Sequence, residues 1–133
     1  IGVQMATIPE SHADLLNGVV AFVTVGADGY PQATAVNVRL EDDGKLHTSI
    51  NDGRQKYKNL VARPQATVFA IDPANPYRTV EVRADAELIG DPDKAWTKAF
   101  LPGLDVDAID GGAQRFHVVL TPTKVNTVSP GAW

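Results

Sequence analysis

Hydrophobic residues alternate with polar ones along much of this chain, and that spacing is typical of β-strands with one buried face. In the segment 78–89, for example, Val80, Val82 and Leu88 alternate with charged side chains. The pattern predicts five or six strands, drawn from the segments 19–25, 32–40, 45–50, 66–71, 78–89 and 115–121. Segment 19–25 is apolar at nearly every position and is expected to be buried on both sides. Strands joined by tight turns and short helices predict a small antiparallel barrel.

Helical spacing is confined to short segments, and the most informative of them follows the strand 45–50. Tyr57 and Leu60 recur at helical spacing after a turn at 52–53. Asp52 is predicted to be the N-cap of this helix, with Gln55 as the second half of a capping box. Similar start signals predict short helices within 7–17 and 91–101. Trp133, the last residue, is expected to pack rather than to be exposed.

Three cations lie in or beside the first two turns of the helix after residue 53, namely Arg54, Lys56 and Lys58. A helix N-terminus carries a partial positive charge and unpaired N–H groups, so it favours acidic side chains instead. A phosphate would reverse this preference, because the N–H groups, the helix dipole and the cations would all attract it. The pattern therefore predicts an anion site here, with a solvated, lysine-rich helix face as the alternative.

The strand 32–40 carries small and polar side chains at its odd positions, which are Ala33, Ala35, Asn37 and Arg39. Small side chains let a flat ligand approach the backbone, and Asn37 could hydrogen-bond a polar ring edge. The alternative is a tight barrel interior that needs alanine for its volume. A closed barrel of this size has little room inside, so a sizeable ligand is expected on its outside or between two copies. That expectation favours a homodimer with the site at its interface.

Composition narrows the class of protein further. The 133 residues are expected to form one domain, 1–133, and the net charge of −4 argues against a nucleic-acid partner. No apolar run approaches the roughly 20 residues that a membrane helix needs, so no membrane partner is predicted. Cysteine is absent, which excludes disulfides and thiolate metal sites and fits a cytoplasmic location. The aspartates within 104–112 lack the spacing of an EF-hand, so no metal site is predicted.

No catalytic side chain is predicted from the sequence. The chain lacks a Gly-x-Ser-x-Gly motif, a Walker loop, a Rossmann glycine pattern and a His-x-x-x-His pair. Its three histidines, His12, His47 and His117, are scattered. If the protein is an enzyme, a bound cofactor is therefore expected to carry the chemistry.

Two motifs, taken in their order and separation, point to a known family. They are Asp28-Gly29-x-Pro31-Gln32, and Arg54-x-Lys56-x-x-Asn59-Leu60 followed by Arg63-Pro64. With them, residues 10–128 resemble the pyridoxamine-5′-phosphate-oxidase-like split β-barrel family, and within it the branch of F420-dependent flavin/deazaflavin oxidoreductases. The resemblance implies a mainly β, antiparallel split barrel with short helices and Greek-key-like connections.

The resemblance also implies where a cofactor binds. In that family basic residues at the start of the helix hold the cofactor phosphate, with a residue of the preceding strand, and the tricyclic ring lies along a strand at the homodimer interface. The residues implied here are Gln32, Ala33, Thr34, Ala35 and Asn37 along the ring, Ser49, Arg54 and Lys56 at the phosphate, and Pro76 and Tyr77 from a loop of the second subunit. Lys58 is the candidate for the carboxylates of a cofactor tail.

The cofactor is expected to be coenzyme F420, with FMN as the alternative, because both have a tricyclic ring and a phosphate. The branch resemblance and the three cations favour F420. No segment before Trp133 matches the substrate-phosphate segment of pyridoxamine phosphate oxidases, which argues against vitamin B6 oxidation. The expected function is an F420H2-dependent reductase that transfers hydride to an unsaturated or aromatic small molecule, with a proton from water or from Tyr77. The alternatives are an FMN-binding oxidoreductase and a non-enzymatic protein that stores or carries the cofactor.

Overall fold

Six antiparallel strands close into a barrel, which confirms the mainly β fold predicted from the alternation. The structure, a computed structural model, describes residues 4–131, so the predicted packing of Trp133 lies outside the described residues. The strands are β1 (Gly18–Val25), β2 (Pro31–Leu40), β3 (Leu46–Asn51), β4 (Gln65–Asp72), β5 (Asn75–Asp91) and β6 (Arg115–Val128). Around the barrel they follow the order β1-β2-β3-β6-β5-β4, and β4 pairs with β1 to close it.

One short helix precedes β1, and the others occupy the β3–β4 and β5–β6 connections. The helices are α1 (Glu10–Ala13), α2 (Gln55–Ala62), α3 (Ala95–Phe100) and α4 (Val106–Asp110). A 3-10 turn over Asp14–Leu16 follows α1, so the regular helix near the start is shorter than the predicted segment 7–17. Within residues 4–131, every helix is too short or too polar to cross a membrane.

The barrel interior is filled by every second side chain of the strands. Phe22, Leu46, Val68 and Val82 are fully buried there, as alternation requires. The outer face of β1 behaves differently, since Val19 is 71% exposed. The prediction that segment 19–25 is buried on both sides is therefore wrong. Only one face of β1 meets the barrel core, and its other face is apolar but open in a single copy of the chain.

The turn between β4 and β5 is tighter than the predicted loop. Asp72 pairs with Asn75, and the Oδ1 atom of Asp72 accepts a hydrogen bond from the backbone N of Ala74 at 2.8 Å. Pro76 and Tyr77 consequently lie in β5 rather than in a loop, and both are exposed.

The helix α2 begins with Arg54 as its N-cap residue, not Asp52. The Oδ1 atom of Asp52 accepts from the backbone N of Gln114 at 2.9 Å, which ties the turn after β3 to the start of β6. Gln55 Nε2 donates to Asn59 Oδ1 at 3.0 Å instead of reaching back to the cap. The predicted capping box is wrong because both of its side chains are engaged elsewhere, and no side chain caps α2.

Candidate functional site

A cavity of about 340 Å³ opens where β2 and β3 meet the N-terminus of α2. This volume lies at the lower end of the roughly 300–1,000 Å³ that is typical of small-molecule sites. Seven of the predicted cofactor-binding residues line it, namely Gln32, Thr34, Ala35, Asn37, Ser49, Arg54 and Lys56. Phe100 and Leu101, at the end of α3, add an apolar wall. We call this space the cofactor cavity.

Four of the predicted residues lie away from the cofactor cavity. Ala33 lines a shallow apolar depression on the outer face of β1, β2 and β4. Lys58 is exposed on α2 and is not part of the cavity lining. Pro76 and Tyr77 lie at the start of β5, a strand that contributes nothing to the lining. A role for Pro76 and Tyr77 requires a second subunit, and that part of the prediction stays a prediction.

Three cations converge at the α2 end of the cavity, namely Arg54, Lys56 and Arg115. Burial lowers the pKa of Lys56, and the positive charges of Arg54 and Arg115 lower it further. No ion pair between residues 4 and 131 includes Arg54 or Lys56. Like charges beside an uncapped helix N-terminus repel each other and are stabilised by a bound anion. The cluster therefore has the electrostatics of a phosphate site.

Arg115 is the functional candidate that sequence reasoning missed. Its Nε donates to Oδ1 and Oδ2 of Asp110 at 3.0 and 2.9 Å, and its Nη2 donates to Oδ1 at 2.8 Å. Burial raises the pKa of Asp110, but hydrogen bonds from Arg115, Asn51 and Lys94 outweigh it and bring this pKa to about 2. Asp110 therefore stays ionised and fixes the guanidinium, which directs Nη1 at Ser49 Oγ, 3.5 Å away. No local signal marks Arg115, because only the register of β3 against β6 places it beside Asn51.

Ser49 is hydrogen-bonded towards α3 rather than free to act in the cavity. Its Oγ lies 2.7 Å from Thr97 Oγ1, and Thr97 Oγ1 donates to Asp91 Oδ2 at 2.7 Å. Burial raises the pKa of Asp91, but hydrogen bonds from Thr97 and from the backbone N of Trp96 lower it overall. Since the single hydroxyl proton of Thr97 goes to the carboxylate of Asp91, Ser49 must be the donor to Thr97. In this arrangement Ser49 has no proton left for a phosphate.

A buried amide network holds α2 against two of the strands beside the cavity. Asn59 Nδ2 donates to Thr24 Oγ1 and to Gln32 Oε1, both at 3.0 Å, and Asn59 is 1% exposed. These bonds attach α2 to β1 and β2. A Cβ at Gly26 would lie 2.6 Å from Gln32 Nε2, so the glycine leaves room for the amide of Gln32. Asn59 thus holds the middle of α2 against the barrel.

Comparison with known proteins identifies the family of the chain. The sequence model described as pyridoxamine 5′-phosphate oxidase matches residues 8–129. A solved structure of an F420 reductase is 32% identical, with 90% of this chain and 98% of that chain aligned and a TM-score of 0.75. A comparison with curated protein sequences found no significant match.

Two more distant structures share the fold. A conserved hypothetical protein from Mycobacterium tuberculosis is 19% identical, with 96% of this chain and 88% of that chain covered and a TM-score of 0.70. HutZ, the heme storage protein from Vibrio cholerae, is 16% identical, with 92% and 96% covered and a TM-score of 0.66. At these identities the likeness concerns the fold alone.

Proposed function

The chain belongs to the pyridoxamine 5′-phosphate oxidase family, and on that premise we propose that it is an F420H2-dependent reductase of unsaturated or aromatic small molecules. The observation that carries this proposal is the convergence of Arg54, Lys56 and Arg115 on one cavity beside an uncapped helix N-terminus. The similarity to an F420 reductase, at 32% identity over 90% of the chain, favours the deazaflavin over other phosphate-bearing cofactors.

The residues present fit such a cofactor. Arg54, Lys56 and Arg115 match the charge of its phosphate, and the N–H groups at the start of α2 add donors to the same point. Ala35 and Asn37 offer a small side chain and an amide where a flat ring would lie along β2. When bound and reduced, the deazaflavin supplies a hydride to the substrate. The protein's part is to bind, orient and partly shield the reactants.

A proton must also reach the substrate, and the cavity lining limits where it comes from. Within residues 4–131 the lining holds no aspartate, glutamate, histidine or tyrosine, and its one lysine, Lys56, is assigned to the phosphate. Tyr77, which the sequence suggested as a hydroxyl donor, lies in β5 and does not line the cavity. Within one copy of the chain, solvent water is therefore the proton source that we propose, and Tyr77 of a second copy is the alternative in a homodimer.

We further propose that the protein works as a homodimer. Val19, Ala21, Ala33, Ala35, Phe69 and Ile71 form an apolar outer face across β1, β2 and β4. Val19 and Ile71 are 71% and 52% exposed there. Exposed apolar side chains grouped on one face are typical of a protein–protein interface. Ala35 lines both this outer apolar face and the cofactor cavity, so a second copy seated on the face would also border the ring.

Two rival functions use the same site. An FMN-binding oxidoreductase would need the same phosphate cations and the same small-residue strand. A carrier or storage protein is favoured by one specific observation, the absence of aspartate, glutamate, histidine and tyrosine from the cavity lining within residues 4–131.

Titration and turnover separate these functions. The dissociation constants of F420 and FMN are measured by fluorescence quenching, and F420H2 oxidation is then followed over a panel of unsaturated acids, quinones and nitroaromatics. We expect tighter binding of F420 than of FMN, together with F420H2 consumption on part of the panel. Tight F420 binding without turnover on any compound would favour the carrier. Tight FMN binding with no F420 binding would make the protein a flavoprotein.

A further inference from the structure

A second cleft, of about 350 Å³, adjoins the cofactor cavity at the end of β2 that lies away from the cations. Asn37, Phe100 and Leu101 line both spaces, so the cleft and the cavity meet at these three side chains. Among residues 4–131, Arg39 is the single charged residue that lines the cleft. We call this space the Arg39 cleft.

The guanidinium of Arg39 lies over an aromatic ring rather than beside a carboxylate. Its Cζ lies 5.0 Å from the centroid of the Phe100 ring, and Phe100 stacks on Trp96 at 4.8 Å and 15°. Among residues 4–131, no ion pair includes Arg39. Stacking uses the face of a guanidinium and leaves the N–H groups at its edge available. A carboxylate accepts two of those N–H groups in one plane.

Resting on the proposed function, we propose that the Arg39 cleft binds the substrate, and that this substrate is a small planar carboxylic acid. Its carboxylate pairs with the edge of the Arg39 guanidinium. Its conjugated body packs against Phe100, Leu101 and Pro102, and it reaches the cofactor cavity past Asn37. Leu104, which is 52% exposed, lies at the same cleft and adds apolar surface there.

The position of Arg39 argues against the other source of carboxylates, the glutamate tail of the cofactor. Gln32 marks the phosphate end of β2, because it is hydrogen-bonded to Asn59 of α2. Arg39 lies seven residues further along the same strand, which corresponds to about 23 Å at the rise of a β-strand. A tail that leaves the cofactor beyond its phosphate extends away from Arg39. A carboxylate at Arg39 therefore belongs to the substrate.

The test uses trans-cinnamate and its neutral amide, trans-cinnamamide, as probes of nearly equal shape. Both are titrated by calorimetry into the full-length protein, with and without bound F420. The variants are Arg39→Gln, which removes the charge, and Arg39→Lys, which keeps the charge without the planar fork. Arg83→Gln is the matched control, because Arg83 is an exposed arginine that pairs with Glu81 on β5, outside both spaces.

We expect the wild type to bind cinnamate about tenfold more tightly than cinnamamide, as for a charge-assisted hydrogen-bonded pair. Arg39→Gln should remove this preference, Arg39→Lys should keep part of it, and Arg83→Gln should keep all of it. A wild type without the preference, or a preference that survives in Arg39→Gln, would overturn the assignment.

The affinity for F420 provides the second readout. Arg39→Gln should leave the dissociation constant of F420 unchanged within about twofold, since Arg39 lies beyond the ring end of the cavity. A loss of F420 affinity in this variant would assign the cleft to the cofactor tail and overturn the substrate proposal. If F420 does not bind at all while the Arg39-dependent cinnamate preference persists, the proposed function is wrong and the acid-binding cleft stands.

Discussion

The ammonium of Lys94 lies 3.1 Å from Oδ2 of Asp110, on the carboxylate that also holds Arg115. Lys94 is the residue before α3, and Asp110 is the last residue of α4. The fully buried carboxylate of Asp110 therefore pairs with two cations. Arg115 lines the cofactor cavity, and Lys94 precedes α3, the helix that ends in the apolar wall of the cavity.

Asp110→Asn should destabilise the protein strongly. Removing one partner of a buried ion pair leaves uncompensated charge, and such changes cost about 3–5 kcal/mol in the free energy of unfolding. Urea unfolding at pH 7 measures this loss. The matched control is Asp107→Asn, which removes an exposed carboxylate that pairs with Lys98 and Lys94 and should change stability little. An equal decrease in the free energy of unfolding for the two variants would contradict the prediction that the buried ion pair of Asp110 stabilises the fold.

The same carboxylate predicts a pH dependence of stability. The pKa of Asp110 falls from 3.8 to about 2 on folding, so the folded state binds fewer protons than the unfolded state between these values. The stabilisation is complete above pH 3.8 and is lost as the pH falls through about 2. Acid unfolding of Asp110→Asn should lack this component between pH 4 and pH 2.

Lys56→Gln should weaken binding of a phosphate-bearing cofactor and stabilise the free protein. Loss of a charge-assisted hydrogen bond corresponds to about 1.5–3 kcal/mol of binding free energy. Without ligand, however, the ammonium is disfavoured by burial and by Arg54 and Arg115, which lower its pKa. Removing it should therefore raise the free energy of unfolding by about 0.3–1 kcal/mol at pH 7, the range of a helix-terminus charge. Fluorescence titration and urea unfolding measure the two effects.

The control for that variant is Lys58→Gln, which removes a cation of the same helix outside the cavity lining. The dissociation constant of the phosphate-bearing cofactor should be the same for Lys58→Gln as for the wild type.

Cofactor binding in the wild type should also weaken as the pH rises through the lowered pKa of Lys56, since the ligand favours the charged ammonium. A Lys56→Gln protein with wild-type affinity would remove this residue from the site.

Ser49→Ala should affect stability more than cofactor binding. Its hydroxyl proton is directed to Thr97, so its removal breaks a buried hydrogen bond worth about 0.5–1.5 kcal/mol. Because the proton does not face the cavity, the dissociation constant of F420 should change by less than about threefold. A tenfold loss of affinity would show that the hydroxyl turns towards the phosphate on binding.

Val19→Asp should dissociate the proposed dimer. A carboxylate in the middle of the outer apolar face would be desolvated at the interface without a partner. Sedimentation equilibrium at micromolar concentration should give a dimer for the wild type and a monomer for the variant. Ile89→Asp, at another exposed apolar position on β5, should remain a dimer. A wild-type monomer that still binds F420 would exclude an interface site.

Much of the cavity was predictable because its signals are local in sequence. Alternation along β2 places Ala35 and Asn37 on one face without any knowledge of the fold. The excess of cations at the start of α2 is likewise visible within a few residues, since it contradicts the preference of a helix N-terminus. Both signals identified residues that line the cofactor cavity.

The rest depends on contacts between distant segments. Arg115 and Ser49 are 66 residues apart, and only the pairing of β6 with β3 brings them together. Asp52 is a residue type that favours the N-cap, but its carboxylate instead accepts a hydrogen bond from the backbone N of Gln114, beside the neighbouring strand β6. The prediction that β1 is buried on both sides is wrong because an apolar residue indicates burial but does not indicate whether the same chain or a second one buries it. Val19 is apolar and exposed in the single copy.

The carboxylate of Asp110 also closes the connection between β5 and β6 into a ring. Lys94 near its start and Arg115 at its end meet at that one group, and Asn51 attaches the ring to β3. A segment tied in this way opens as a whole rather than fraying from one end. We expect the amide protons of α3 and α4 to exchange with solvent at a common rate. The wall at Phe100 and the guanidinium of Arg115 would then be released in one event, which links ligand escape to local unfolding.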